Sequence, residues 1–217
     1  VRVPTLLPLC ALLLGCAGFR GGWQSVAYVG DTPPAAGTEA RSPSELADLS
    51  VLELPGARLQ VSIDNQLRTR DTQIYLGVPL SVNPRRTYPQ NHVPGKTRVF
   101  VSVTPAAPGF VFRPASAVLE AGGTRITATR GFEFGMWDAA GNRVETGGRW
   151  DHRDIGSELV LGDANRRYLL SLEFDLAVPS PESRDIRLDL SAALRDPARA
   201  PLPVIRFAPM RWSEGYS

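Results

Sequence analysis

Trp150-Asp151-His152-Arg153-Asp154 is the one stretch of the sequence where an imidazole and two carboxylates crowd together. Histidine titrates near neutrality and a carboxylate can orient it, so these residue types suit acid/base work or part of a metal site. Adjacent residues on an extended chain point to opposite faces, however, and a closed metal site needs ligands from elsewhere. His92 is the only other histidine. A solvated turn is the plainer reading of Asp151 to Asp154. The alternative is a hydrolase or metal-assisted enzyme, and it requires His92 and His152 to converge.

Other chemical signatures are weaker. Asp138 to Asn142 has at most half of a calcium loop, without the distal glutamate, and turn chemistry explains it. No serine sits in G-x-S-x-G, and the glycine patterns that cradle phosphate are absent. Both cysteines, Cys10 and Cys16, lie near the N-terminus, which leaves the rest of the chain without a thiol. Cysteine nucleophiles, thiol redox chemistry and thiolate zinc sites are thereby excluded from it. No metal and no cofactor are expected.

Charge supplies candidates for binding instead. Arg68 and Arg70, Arg85-Arg86 and Arg166-Arg167 fall in or beside expected loops, and two such pairs at one end of a domain would form an anion site. Scattered surface arginines are the competing reading, since Lys96 is the only lysine and the basic residues are almost all arginine. The tail from Phe207 to Tyr216 mixes Trp212 and Tyr216 with arginines, which fits either a partner-binding hot spot or a last strand packed on the core. Trp137 and Trp150 would line the pocket of a small-ligand or glycan binder. With 24 Lys and Arg against 22 Asp and Glu, the chain lacks the positive field that nucleic acid binding requires.

The elements that must position these residues read as β. Leu59, Val61 and Ile63 alternate with polar partners, and Ile74 to Val82, Arg98 to Val103, Val118 to Glu120, Thr124 to Thr129 and Phe132 to Trp137 read as further strands. Leu170 to Leu176 and Ile186 to Leu194 show the clearest alternation, and their proline-rich connection makes them neighbouring antiparallel strands. Asp138 to Asn142 reads as a hairpin loop. Ser42-Pro43-Ser44-Glu45 fits a capping box, predicting a short helix over Pro43 to Leu49. The series predicts a mainly β fold: a single antiparallel β-sandwich, Ig-like or transthyretin-like in outline, with a closed barrel as the alternative.

Upstream, residues 17 to 41 are rich in Gly, Pro and Ala without a sustained period, and read as a flexible tether with a span of roughly 25 to 30 Å. Before them a short apolar run, Val3 to Leu14, follows Arg2 and ends in Leu13-Leu14-Gly15-Cys16. It carries Pro4 and Pro8 and is well short of the ~20 residues of a membrane-spanning helix. That ending resembles the lipobox of bacterial lipoprotein precursors. The resemblance implies cleavage before Cys16, a diacylglycerol on its sulfur and usually an acylated amine. A secretory signal with an incidental cysteine is the competing reading. An aspartate directly after the lipidated cysteine retains such proteins in the inner membrane of enteric bacteria. This chain has Ala17, so the resemblance implies the outer membrane, facing the periplasm.

The organisation expected is therefore a lipoprotein signal peptide over 1–15, lipidated Cys16 and a tether over 16–41, and a β-sandwich with a short N-terminal helix over 42–217. The function expected is non-catalytic binding or scaffolding in the envelope, with the membrane engaged through Cys16. An envelope protein would be the partner, with Arg85, Arg86, Arg166, Arg167, Trp212 and Tyr216 as candidate contacts.

Overall fold

In the segment Thr97–Pro105 buried and half-buried residues alternate without a break, and Ala57–Ile63 follows the same rhythm. A pleated strand with one apolar face needs a second layer to cover it. The computed structural model describes residues 17–34, 40–75, 78–82, 86–87, 93–196 and 200–216, and supplies that layer. The protein is mainly β, with curled antiparallel sheets in a sandwich-like arrangement.

In chain order the first elements are β1 (Ala17–Tyr28), α1 (Pro43–Leu49), β2 (Val51–Leu54), β3 (Ala57–Ile63), β4 (Leu67–Tyr75), β5 (Val78–Val82) and β6 (Arg86–Thr87). There follow β7 (Thr97–Pro105), β8 (Phe110–Phe112), β9 (Val118–Ala121), β10 (Thr124–Thr127), β11 (Arg130–Trp137) and β12 (Arg149–Asp154). The last are β13 (Leu159–Leu161), β14 (Tyr168–Phe174), β15 (Arg187–Asp189), β16 (Leu194–Arg195) and β17 (Ile205–Tyr216). The largest sheet runs β10-β9-β15-β17-β1-β4-β5, with β6 also on β4; a second runs β12-β11-β14-β7-β3-β2; a small third is β13-β8-β16.

One core joins the three sheets. Leu59, Val61, Val99, Val101 and Leu172 of the second sheet share a buried cluster with Leu119, Leu188 and Phe207 of the first and Phe110 and Phe112 of the third. A smaller cluster, Val26, Ala40, Leu46, Met210 and Trp212, forms where α1 packs on β1 and β17. The helix starts as its capping residues dictate: the Glu45 amide donates to Ser42 Oγ at 3.2 Å, and the Arg41 amide donates to the Glu45 carboxylate at 2.6 Å.

Several expectations are corrected here. Residues 17–28 are not tether: β1 is an interior strand paired with β17 from Gly18 to Tyr28 and with β4 from Ala17 to Trp23. The folded domain therefore includes β1, and its boundary does not fall at residue 42. No period of two marks β1, because Val26 faces the small cluster while the adjacent Ala27 faces the main core. The expected strand Ile74 to Val82 is a hairpin, β4 folding back on β5. The Leu170 and Ile186 segments are not neighbours: β14 lies between β11 and β7, and β15 lies between β9 and β17 in the other sheet. The Leu194 end of the latter belongs to a separate strand, β16, on the third sheet. Among the described residues no helix is long and apolar enough to cross a membrane.

Candidate functional site

Because Val99, Val101 and Val103 fill the core, the intervening residues of β7 must face outward, and antiparallel register extends that outer face across the second sheet. Phe100 lies opposite Ser171 of β14 and Ser62 of β3; Ser102 lies opposite Leu169 and Gln60. Farther along, Leu169 pairs with Phe134 of β11, and Phe134 with His152 of β12. These residues, with Arg167, line a groove of about 360 Å³ on the outer surface.

Its walls are aromatic and its floor is partly polar. Phe134 stacks on Trp150, with centroids 5.2 Å apart and planes 22° from parallel, and His152 tilts against the same ring at 4.7 Å. Trp150 is 56% exposed and Phe134 half-buried, so the outer ring of the stack is open to solvent. Across the groove Arg167 lies along the sheet, donating from Nε to Ser102 Oγ at 2.6 Å and from Nη2 to Gln60 Oε1 at 2.9 Å. On the floor, Ser171 is 2% exposed and its Oγ has no hydrogen-bond partner among the described residues. A buried hydroxyl without a partner is costly.

The Asp151 to Asp154 segment is an edge strand, β12, rather than the expected turn, and every residue in it is exposed. Alternation sends Trp150, His152 and Asp154 to the outer face and Asp151 and Arg153 to the other. Asp151 accepts from the backbone amide of His152 at 2.8 Å and Asp154 accepts two bonds from Arg130, at 3.0 and 2.8 Å. Arg130, and then the Gly156 amide, hold the Asp154 carboxyl below its ordinary value. Desolvation on the side packed against Phe134, and secondarily the charge of Arg98, lower the His152 imidazole against the opposing pull of Asp151. The imidazole adds a ring to the groove beside Phe134. His92, whose convergence with His152 the enzyme reading needs, lies outside the described residues. Among the described residues no group of three or more His, Cys, Asp or Glu is placed to hold a metal ion.

No family model matches the chain, and no curated protein matches it.

Among the other candidates, Trp212 is a correction. It is 2% exposed, packed with Val26, Leu46 and Met210, and serves the core rather than a partner. Arg166 turns away from Arg167 to pair with Asp163 and lies over the Tyr168 ring at 5.2 Å. Arg86 belongs to β6 on the first sheet, whereas Arg167 lies across the second. Arg85 and Cys16 lie outside the described residues, as do the side chains of Arg86 and Tyr216. Trp137 is half-buried, donating to the Asp151 carbonyl at 3.2 Å under the Arg153 guanidinium. Asp138 closes the expected loop by accepting from the Asn142 amide at 2.7 Å.

Phe100 and Phe134 were not anticipated as site residues. Outward aromatics look like core in a strand sequence, yet Val99, Val101 and Val103 already fix the inner face and leave Phe100 no other direction.

Proposed function

We propose that this chain is a lipid-anchored bacterial envelope protein with a non-catalytic binding role, its anchor on Cys16 and its binding surface the outer groove of the second sheet. The observation that carries the binding half is the exposed Trp150 ring stacked on Phe134 at the edge of a groove crossed by Arg167. Exposed aromatics flanked by an arginine are the composition of interface hot spots. The anchor half rests on the Leu13-Leu14-Gly15-Cys16 resemblance, and Ala17 directs the protein to the outer membrane, facing the periplasm. The occupant we favour is an envelope protein presenting an apolar side chain to the rings and an acceptor to Arg167.

A second reading, a small-ligand or glycan binder, is favoured by the size of the groove, which falls within the range of small-molecule sites. Hydroxyls of a sugar would reach Ser102 and Gln60 while its apolar face stacked on Trp150. Affinity purification of the wild-type protein and of Trp150→Ala from cross-linked cells tests the proposal. A discrete envelope component lost in the variant is the expected result, and equal recovery with both proteins contradicts a role for the groove.

A further inference from the structure

The end of β1 that carries Ala17 is also where the first sheet exposes apolar side chains. Ala17 stands opposite Ile74, and Phe19 opposite Thr72, near the end of the β4–β5 hairpin. Phe19 is 56%, Val78 58% and Leu80 55% exposed. The register places them on two faces: Phe19, Ile74 and Pro79 on one, Val78 and Leu80 on the other. Polar residues stand among them, exposed Gln73 opposite Leu80 and Thr72 opposite Ser81, and Arg70, also exposed, lies four residues behind Ile74 on β4.

We infer that this hairpin end enters the lipid surface beside the anchor. The inference rests on lipidation of Cys16 as proposed above. A group on Cys16 is one peptide unit, about 3.8 Å from Cα to Cα, from Ala17, so its acyl chains start at this end of the sheet with no tether between. An end with apolar groups on both faces is covered by a bilayer interface that surrounds it, whereas a docked protein surface covers one face. Strand addition by a partner along β5 is opposed by Pro79, which has no amide hydrogen to donate at that edge. Arg70 lies some 13 Å behind Ile74 at the rise of a strand, where a guanidinium meets lipid phosphates while the apolar end goes deeper.

The test uses the full lipidated protein in vesicles of phosphatidylethanolamine and phosphatidylglycerol. A single environment-sensitive fluorophore is attached at Leu80→Cys, Pro79→Cys or Val160→Cys. Lipidation blocks the Cys16 sulfur and cleavage removes Cys10, so each variant has one free thiol. Val160 is 60% exposed on the third sheet and serves as the control. Quenching by spin-labelled lipid at both 79 and 80, and not at 160, is the expected result. No quenching at 79 and 80, or quenching on one face alone, in protein whose mass shows the lipid on Cys16 overturns the inference and leaves the anchor standing. A mass without the lipid overturns the anchor, and this inference with it.

Discussion

Gly22 of β1 passes against Leu67 of β4 so closely that a Cβ on Gly22 would overlap the Leu67 carbonyl oxygen and lie 2.9 Å from its carbonyl carbon. The pairing of the two strands slips by one residue at Gly21 and Gly22, and the absence of side chains there lets β4 approach. This close approach is where β4 joins β1 across the bulge.

Gly22→Ala is therefore expected to destabilise the protein by about 1–3 kcal/mol, the usual cost of forcing atoms into a packed site. Gly162→Ala, where an added Cβ meets no atom within 4 Å, is expected to stay within about 0.5 kcal/mol of wild type. Urea melts of the two variants check this. A free tether at residues 17–28 would make both substitutions neutral.

The contrast between β1 and β7 explains what could be read from the sequence. Thr97 to Pro105 faces the core on one side and solvent on the other, so its pattern is legible as a strand of known orientation. β1 is covered on both sides over part of its length, by the main core at Ala27 and by the Leu46–Trp212 cluster at Val26, which erases the alternation. Its glycines, read as flexibility, serve close approach instead. Alternation also reported the buried faces of the Leu170 and Ile186 segments. It carried no information on which sheet each joins, because partner choice depends on contacts far away in sequence. The groove was legible only at its rim, through Trp150, His152 and Arg167; the Phe134 stack and the Ser171 floor exist only once β11, β12 and β14 are in register.

Trp150 and Arg167 are exposed, and their removal is expected to separate binding from folding. Trp150→Ala and Arg167→Ala should each change unfolding free energy by less than about 1 kcal/mol. Each should weaken capture of the groove's occupant about tenfold or more, as loss of a hot-spot side chain does. Chemical denaturation and a binding titration on the same preparations read the two effects.

Glu173 gives the fold an acid limb. Burial raises its carboxyl, but hydrogen bonds from Lys96 and Arg98 outweigh it, and the folded-state value lies below the ordinary 4.5. With the folded value below the unfolded one, this contribution is fully present above about pH 4.5 and is lost as pH falls through the folded-state value. Glu173→Gln should cost about 1–3 kcal/mol at pH 7, in line with charge-assisted hydrogen bonds, and the gap to wild type should close in acid. Melts at pH 7 and pH 3 measure it, and a gap that does not change with pH would show that the carboxylate charge is not what stabilises.

Cys16→Ser is expected to abolish both membrane fractionation and the lipid mass increment, while leaving the circular dichroism of the β-sandwich unchanged. Retention of both in the variant would refute lipidation at this residue.

Binding at the groove is tested most directly by placing a photo-cross-linking amino acid in living cells at Gln60, at Trp150 and, for comparison, at Val160 on the third sheet. One shared adduct from Gln60 and Trp150, and none of it from Val160, is the expected result. Adducts that are absent from both groove positions, or equally abundant at Val160, would contradict it.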